Sequence, residues 1–164
     1  MMEFLQQLEN ARFSQWVTSD SILAFPTILL LHTYGMGILV GLMAGIDLRI
    51  LGFAPALPLA PMGKFFPIVW AAFWVNAITG AMLFAGDATT KVPTLDFAVK
   101  MVFVVLGVIN LRMIQKRVFH EPDVTRGVLP ANAKMLAFTS LVFWLGATTS
   151  GRLLAYVDQT FAAK

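Results

Sequence analysis

The chain has no cysteine among its 164 residues and only two histidines, His32 and His120. The missing cysteines exclude disulfides, thiolate metal ligands and cysteine nucleophiles. Charged residues are also scarce, at 13% of the chain, against about 25% in an average soluble domain. The sequence contains no phosphate-binding glycine loop, no histidine pair at metal-binding spacing and no serine–histidine–aspartate set. It therefore offers no signature of an enzyme, and a net charge of +3 does not indicate a nucleic-acid partner.

Apolar residues make up 58% of the chain, which is more than one small soluble domain can bury. They are concentrated in four runs, each long enough for a transmembrane helix of about 20 residues. The predicted spans are residues 21–46, 66–85, 95–114 and 135–156. The sequence therefore predicts an all-α integral membrane protein, a four-helix bundle in one domain over residues 1–164, with the lipid bilayer as its first partner. Residues 1–19 are predicted as a short amphipathic segment at the membrane surface, with Trp16 as an aromatic anchor.

The positively charged residues are unevenly distributed between the two sides of these spans. Seven flank the loops that follow the first and third spans: Arg49, Lys64, Arg112, Lys116, Arg117, Arg126 and Lys134. The other side has three in its flanks, Arg12, Lys91 and Lys164, and two more just inside the spans, Lys100 and Arg152. Since cytoplasmic loops carry the excess of Lys and Arg, the two longer loops are predicted in the cytoplasm. Both termini then face outward, to the periplasm in a Gram-negative cell.

Small residues recur every four positions in three of the spans. The first span has Gly37, Gly41 and Gly45, the second has Ala72, Asn76 and Gly80, and the fourth has Ala147, Gly151 and Ala155. At this spacing small residues form a stripe along one helix face, which allows another helix to approach closely in lipid. The stripes are predicted to mediate helix packing. The pattern does not distinguish contact within the bundle from contact with a second copy or another subunit.

Three residues that can carry positive charge lie inside the predicted spans: His32, Lys100 and Arg152. Each is about one to two helical turns from the outer boundary, so all three are expected in the same leaflet. Ionisable residues at such positions are costly and often functional. A structural interpretation also exists, in which Lys100 pairs with Asp96. In that interpretation Arg152 reaches outward to the membrane surface, and His32 hydrogen-bonds a hydroxyl such as that of Thr79 or Thr149.

The functional interpretation places a redox cofactor at His32. A haem b could take His32 as an axial ligand, with its propionates near Lys100 and Arg152, and a quinone could hydrogen-bond the imidazole. Gly35 would leave room beside His32 for a flat molecule. Because His120 falls in the opposite loop, a sixth haem ligand would come from Met82 or Met101, from another protein, or from His32 of a second copy.

Asp47 follows the predicted first span, at a helix end where the dipole disfavours an anion. It is therefore expected to have a cationic partner. Four candidates lie on that side: Arg49, Lys64, Arg112 and Lys116. We predict a structural clamp of Asp47, Arg49 and Arg112 that ties the first helix to the third, with Asn110 as a further member.

Several segments resemble a family of small bacterial four-helix integral membrane proteins of unknown function. The resemblance runs from Trp16 to Tyr156, and its clearest segments are residues 30–35, 47–52, 79–84, 97–101 and 151–156. It implies a four-helix membrane architecture in the inner membrane of a bacterium. It also draws attention to the first-span histidine, the Asp-Leu-Arg turn, the third-span lysine and the Gly-Arg ending, which are His32, Asp47 with Arg49, Lys100, and Gly151 with Arg152. A looser similarity to membrane cytochrome b and copper-resistance D proteins rests on a histidine amid glycines in one helix.

The leading functional prediction is a non-catalytic membrane subunit of an electron-transfer system that binds haem b or a quinone near His32. The alternative is an accessory subunit without a cofactor, which stabilises a larger membrane complex or a homo-oligomer through its small-residue stripes. Transport of a small solute or a metal ion is a third interpretation. It has little support because the sequence shows no pair of broken helices.

Overall fold

The computed structural model describes residues 2–17, 24–86, 88–91, 94–120 and 129–162 of the chain. Every regular element in these ranges is helical. The α-helices are α1 (Met2–Glu9), α2 (Arg12–Val17), α3 (Phe25–Leu51), α4 (Phe66–Ala85), α5 (Ala88–Lys91), α6 (Leu95–Ile114) and α7 (Ala133–Ala162). A 3-10 helix (Ala60–Phe65) leads into α4, and a π-helical turn (Gln115–Phe119) continues α6.

The helices α4 and α6 begin and end where the sequence pattern places the second and third spans. The first long helix differs, because α3 continues past Ile46 as far as Leu51. It ends at Gly52, which adopts the left-handed conformation with φ of 109° and donates its N–H to carbonyls of the last turn. A glycine in this conformation is a stronger stop than Asp47 and its neighbours, which are compatible with a helix. The predicted start at Ser21 lies outside the described residues.

The four long helices pack against one another in antiparallel neighbouring pairs. α3 packs on α4 and α7, and α6 packs on α7. Gly35 of α3 lies against Ala72 of α4. His32, about one turn before Gly35, lies against Gly80, about two turns after Ala72. Contacts between α6 and α7 run in the same way, from Gly107 with Trp144 to Lys100 with Gly151.

We call the end with Phe25, Ala85 and Leu95 the terminal end and the end with Leu51, Phe66 and Ile114 the loop end.

Three helical stretches are long and apolar enough to cross a membrane: Phe25–Leu51, Ala60–Ala85 and Leu95–Phe119. They expose much of their apolar surface, including Leu30, Tyr34, Trp74, Ile78 and Val102. Exposed aliphatic and aromatic side chains on this scale are characteristic of helices that face lipid. The all-helical prediction is confirmed for the described residues.

The apolar core lies mainly in the half of the bundle nearest the loop end. Its fully buried side chains include Met43, Ile46 and Ile50 of α3, Val69 of α4, and Leu111 and Ile114 of α6. In α6 no buried side chain precedes Gly107, and in α4 the only one that follows Ala72 is Thr79. The terminal half is therefore held together by fewer apolar contacts than the loop half.

The N-terminal segment packs against the terminal end of the bundle. α1 contacts α5, and α2 contacts α4. The Glu9 carboxylate accepts hydrogen bonds from the Thr89 backbone N–H at 2.7 Å and from the Thr89 hydroxyl at 2.8 Å. Ser14 and Val17 are buried, whereas Trp16 is 51% exposed. One side of this amphipathic segment is thus occupied by protein.

Candidate functional site

His32 lies on the side of α3 that faces α4, in the terminal half of the bundle. Its Nδ1 is 3.0 Å from the Asn76 carbonyl oxygen and 3.1 Å from the Thr79 hydroxyl oxygen. Because a carbonyl can only accept, Nδ1 carries the ring proton and donates it. The Thr79 hydroxyl in turn donates to the Val75 carbonyl at 2.6 Å, so it too acts as an acceptor toward the ring. Nε2 then holds the lone pair of the ring, since both of these hydrogen bonds are made by Nδ1.

A further hydrogen bond links α4 to α3 at the same place. The Asn76 side-chain amide donates to the His32 carbonyl oxygen at 2.8 Å. The imidazole also packs over Gly80, where an added Cβ would lie 3.0 Å from its Cε1. We call this arrangement of His32, Asn76, Thr79 and Gly80 the histidine clasp. The predicted hydrogen bond from His32 to Thr79 is confirmed.

Gly35 does not leave room for a flat molecule, and that prediction is wrong. A Cβ at Gly35 would lie 3.1 Å from the Ala72 carbonyl oxygen and 3.2 Å from the Asn76 backbone nitrogen. The α4 backbone approaches α3 at this point and occupies the space that a side chain at Gly35 would need. The small-residue stripe predicted in the second span therefore does mediate helix packing, through Ala72, Asn76 and Gly80.

Lys100 of α6 reaches across to α7, where its Cε lies 3.4 Å and its Nζ 3.5 Å from the position of an added Cβ at Gly151. Its ammonium is near enough to His32 for the two to interact electrostatically. Arg152, the next residue along α7, is exposed, and Met82 is half-buried on α4. The structure thus brings His32, Lys100 and Gly151 toward one region and leaves Arg152 on the outer surface.

His120 lies beyond the π-helical turn at the loop end, where its Nδ1 is 2.6 Å from the Gln115 carbonyl oxygen. It is at the opposite end of the bundle from His32, as predicted. The two histidines of the chain therefore do not form a pair of axial ligands within one protein.

A second polar group lies in the core of the loop half. Asp47 is fully buried on α3, and the Ser140 hydroxyl of α7 faces its carboxyl. Neither Asp47 oxygen meets a partner at hydrogen-bonding distance and angle among the described residues. Asn110 of α6 donates from Nδ2 to the Thr139 hydroxyl at 2.6 Å, and its buried Oδ1 has no partner in the described ranges. The buried Trp144 indole nitrogen likewise meets no partner within the described part of the chain.

The predicted clamp between Asp47, Arg49 and Arg112 is not formed. The Arg49 guanidinium turns back over the following loop, where it donates to the Leu57 carbonyl at 2.5 Å and the Pro55 carbonyl at 3.1 Å. The Arg112 guanidinium lies 5.2 Å from the centre of the Trp70 ring, in a cation–π contact. Because α3 continues through Asp47 instead of ending there, the carboxyl points into the core toward α7.

The glycine stripe of Gly37, Gly41 and Gly45 contacts no other part of the described chain. A Cβ added at any of the three would meet no atom within 4 Å. Of the two uses that the sequence left open, packing within the bundle is therefore not seen among the described residues, because α3 uses its His32 and Gly35 face for α4. The other predicted use of the stripe, contact with a second copy or another subunit, stays a prediction.

Sequence reasoning missed Ser140, Trp144 and two glycines of the α6–α7 contact. Gly107 lies under the Trp144 indole and Gly146 under the Phe103 ring, where an added Cβ would come within 3.2 Å and 2.7 Å respectively. Nothing in the local sequence distinguishes Ser140 from other hydroxyl residues of the fourth apolar run. Only the register of α7 against α3 identifies it.

Comparison with family models, with curated proteins and with solved structures finds no match for this chain. The family resemblance of the sequence therefore stays a prediction. Chemically, the histidine clasp offers an imidazole lone pair and a nearby ammonium group. The Asp47 region offers buried oxygens that have no partner among the residues the structure describes.

Proposed function

We propose that the chain is a non-catalytic subunit of a membrane complex and that α7 forms a fourth crossing beside the three apolar helices. An outward stripe on α7 supports the fourth crossing. Met135, Phe138, Val142 and Leu145 recur at helical spacing and are 65%, 60%, 43% and 61% exposed. Exposure of such an apolar stripe to water would be unfavourable, whereas in a bilayer the stripe would face lipid. Because the helices are antiparallel, four crossings place both ends of the chain on one side.

The proposed location is the inner membrane of a bacterium, with both termini on the periplasmic side. The distribution of Lys and Arg supports this orientation. Lys64, Lys116, Arg117 and Lys134 are all exposed at or near the loop end, where they would meet the cytoplasm and the anionic lipid of its leaflet. The N-terminal helices would then lie at the outer surface.

The proposed activity is the binding of a redox cofactor, haem b or a quinone, at His32. The observation that carries the proposal is the orientation of the imidazole in the histidine clasp. Histidines that bind metals almost always donate their other ring N–H to a carbonyl or carboxylate, which fixes the tautomer. Nδ1 of His32 donates to the Asn76 carbonyl in this manner, and the Nε2 lone pair remains for a ligand.

The two cofactors make different demands on these residues. A haem iron would take the Nε2 lone pair, and Lys100 would pair with a propionate; the bound group would supply one-electron transfer. A quinone carbonyl needs a hydrogen-bond donor, which Nε2 in this tautomer is not, so the donor would be Lys100. A quinol hydroxyl could instead donate to Nε2. The sparse apolar core of the terminal half supports a ligand there, but Gly35 does not provide the recess, because α4 fills it.

The second candidate is an accessory subunit without a cofactor, and the open glycine stripe favours it. Gly37, Gly41 and Gly45 are exposed on α3 and leave the backbone accessible over about two and a half helical turns. A helix from another subunit or from a second copy could approach closely there. In that function His32 serves only to hold α3 on α4.

An optical spectrum of the protein in mild detergent, before and after reduction with dithionite, tests the proposal. With haem, we expect a Soret band with sharp reduced bands that disappears in His32→Ala and persists in His120→Ala, the matched control at the loop end. For a quinone, extraction and chromatography of the bound lipid should show a quinone in the wild type and its loss in His32→Ala. Folded protein with neither haem nor quinone would contradict cofactor binding and favour the accessory subunit.

A further inference from the structure

The polar cluster of Asp47, Asn110, Ser140 and Trp144 is the largest group of buried polar atoms without partners in the described chain. Five side-chain atoms qualify: both Asp47 carboxyl oxygens, Asn110 Oδ1, Ser140 Oγ and Trp144 Nε1. All four residues are less than 9% exposed. Native proteins leave few buried polar groups unsatisfied, and a concentration of them at one place indicates a missing partner.

The four residues lie on three helices, α3, α6 and α7, and each of them is on or beside residues 139–144 of α7. Ser140 faces the Asp47 carboxyl of α3. Asn110 of α6 is bonded to Thr139, the residue before Ser140, and Trp144 follows Ser140 by one helical turn. Four of the five atoms are oxygens, the ligand type that hard cations take.

An ionised carboxylate at such a position requires compensation. Asp47 is fully buried in a helix that we place across the bilayer, where an unpaired charge is strongly unfavourable. Neighbouring elements supply no cation within the described ranges. On α3 itself Arg49 is engaged with the loop carbonyls, on α6 Arg112 lies over Trp70, and on α7 Lys134 is exposed. The packed face of α4 near Asp47 contains Phe66 and Val69, which are not titratable.

We propose that the polar cluster is a binding site for a monovalent cation, either a proton or Na⁺, with the Asp47 carboxyl as its charged ligand and Ser140 Oγ as a neutral one. A proton taken up from water removes one negative charge and turns the carboxylate into a carboxylic acid that can donate to Ser140. A sodium ion removes the same charge while the carboxylate stays ionised, and Asn110 Oδ1 can add a further oxygen. The site is separate from the histidine clasp, so the proposed cation binding does not depend on cofactor binding at His32.

Infrared spectroscopy and thermal unfolding at pH 7 distinguish the two cations. If the cation is a proton, the wild type shows the C=O stretch of a protonated carboxyl, which is lost in Asp47→Asn and retained in the control Asp96→Asn. If it is Na⁺, that band is absent, and NaCl raises the Tm of the wild type above its value in choline chloride of equal ionic strength. Asp47→Asn then abolishes the difference, and Asp96→Asn keeps it.

The absence of both the band and the sodium effect in folded wild-type protein overturns the proposal, because the carboxylate would then be ionised without a bound cation. Ser140→Ala covers the case in which Asp47→Asn fails to fold, since it keeps the carboxyl and removes the neutral oxygen. We expect it to shift the carboxyl band or to reduce the sodium-dependent rise in Tm. A Ser140→Ala protein identical to the wild type in both measurements would also contradict the proposed site.

Discussion

At the scale of single residues, Thr79 of the histidine clasp can be compared with Thr33, the residue after His32. The two threonines make similar hydrogen bonds within their own helices but have very different surroundings. Thr79 and Thr33 both donate from the hydroxyl to the carbonyl four residues earlier, at 2.6 Å and 2.9 Å. Thr79 is buried and also accepts from His32, whereas Thr33 is exposed. The comparison separates the contact across the helices from the bond within one helix.

We predict that Thr79→Val lowers the free energy of unfolding by about 0.5–1.5 kcal/mol, since it removes one acceptor from the half-buried imidazole. The matched control Thr33→Val should change it by no more than about 0.5 kcal/mol, as is usual for an exposed position. Reversible unfolding in mixed detergent micelles measures both variants. Equal effects of the two substitutions would mean that the bond to His32 contributes nothing to stability.

At the scale of helices, the sequence was informative about where apolar segments lie and less so about which faces meet. The ranges of α4 and α6 follow from composition, because their apolar runs are bounded by proline, glycine and polar residues. The orientation of α3 does not follow in this way. Its two small-residue faces, one with Gly35 and the other with Gly41, are equally plausible contacts, and only the position of α4 decides between them.

The residues of the candidate site show the same limit. His32 and Lys100 were identified because ionisable residues are rare in apolar runs. Their partners on other helices depend on register, which no local pattern specifies. The predicted clamp at Asp47 is wrong because the sequence pattern ends the first helix at Ile46, before Asp47. Once α3 continues to Leu51, the carboxyl faces α7 and not the loop arginines.

We predict that Gly35→Ala destabilises the protein by about 1–3 kcal/mol, since the new methyl group would press on backbone atoms of α4 at 3.1 and 3.2 Å. The same change at Gly41 meets no described atom within 4 Å, so Gly41→Ala should be neutral or stabilise the helix by up to about 1 kcal/mol. Unfolding in mixed micelles tests the pair. A larger loss of stability at Gly41 than at Gly35 would contradict the packing of α3 described above.

Gly41 also distinguishes the two candidate functions. In an accessory subunit, Gly41→Leu should leave the isolated chain folded and reduce its association with other subunits or with itself, because a bulky side chain blocks close approach. Size-exclusion chromatography with light scattering in detergent measures the association. Unchanged association in Gly41→Leu would argue against the stripe as an interface.

At the scale of the whole molecule, the proposed membrane subunit requires four crossings of the bilayer. Three helical stretches have the required length and apolar character, and α7 joins them by its packing on α3 and α6 and its exposed apolar stripe. Four crossings would place the N-terminal helices and the end of α7 on the same side of the membrane. They would also place the Asp47 region and the histidine clasp inside the membrane, in opposite halves of the bundle.

Single-cysteine labelling in intact cells tests the four crossings most directly, and the absence of native cysteine makes each introduced thiol unique. We predict that a membrane-impermeant maleimide labels Asn10→Cys and Ala162→Cys from outside. Leu57→Cys and Ala131→Cys should react only after the cells are permeabilised. Labelling of Ala162→Cys on the same side as Ala131→Cys would mean that α7 does not cross the bilayer, and it would contradict the four-crossing membrane subunit proposed here.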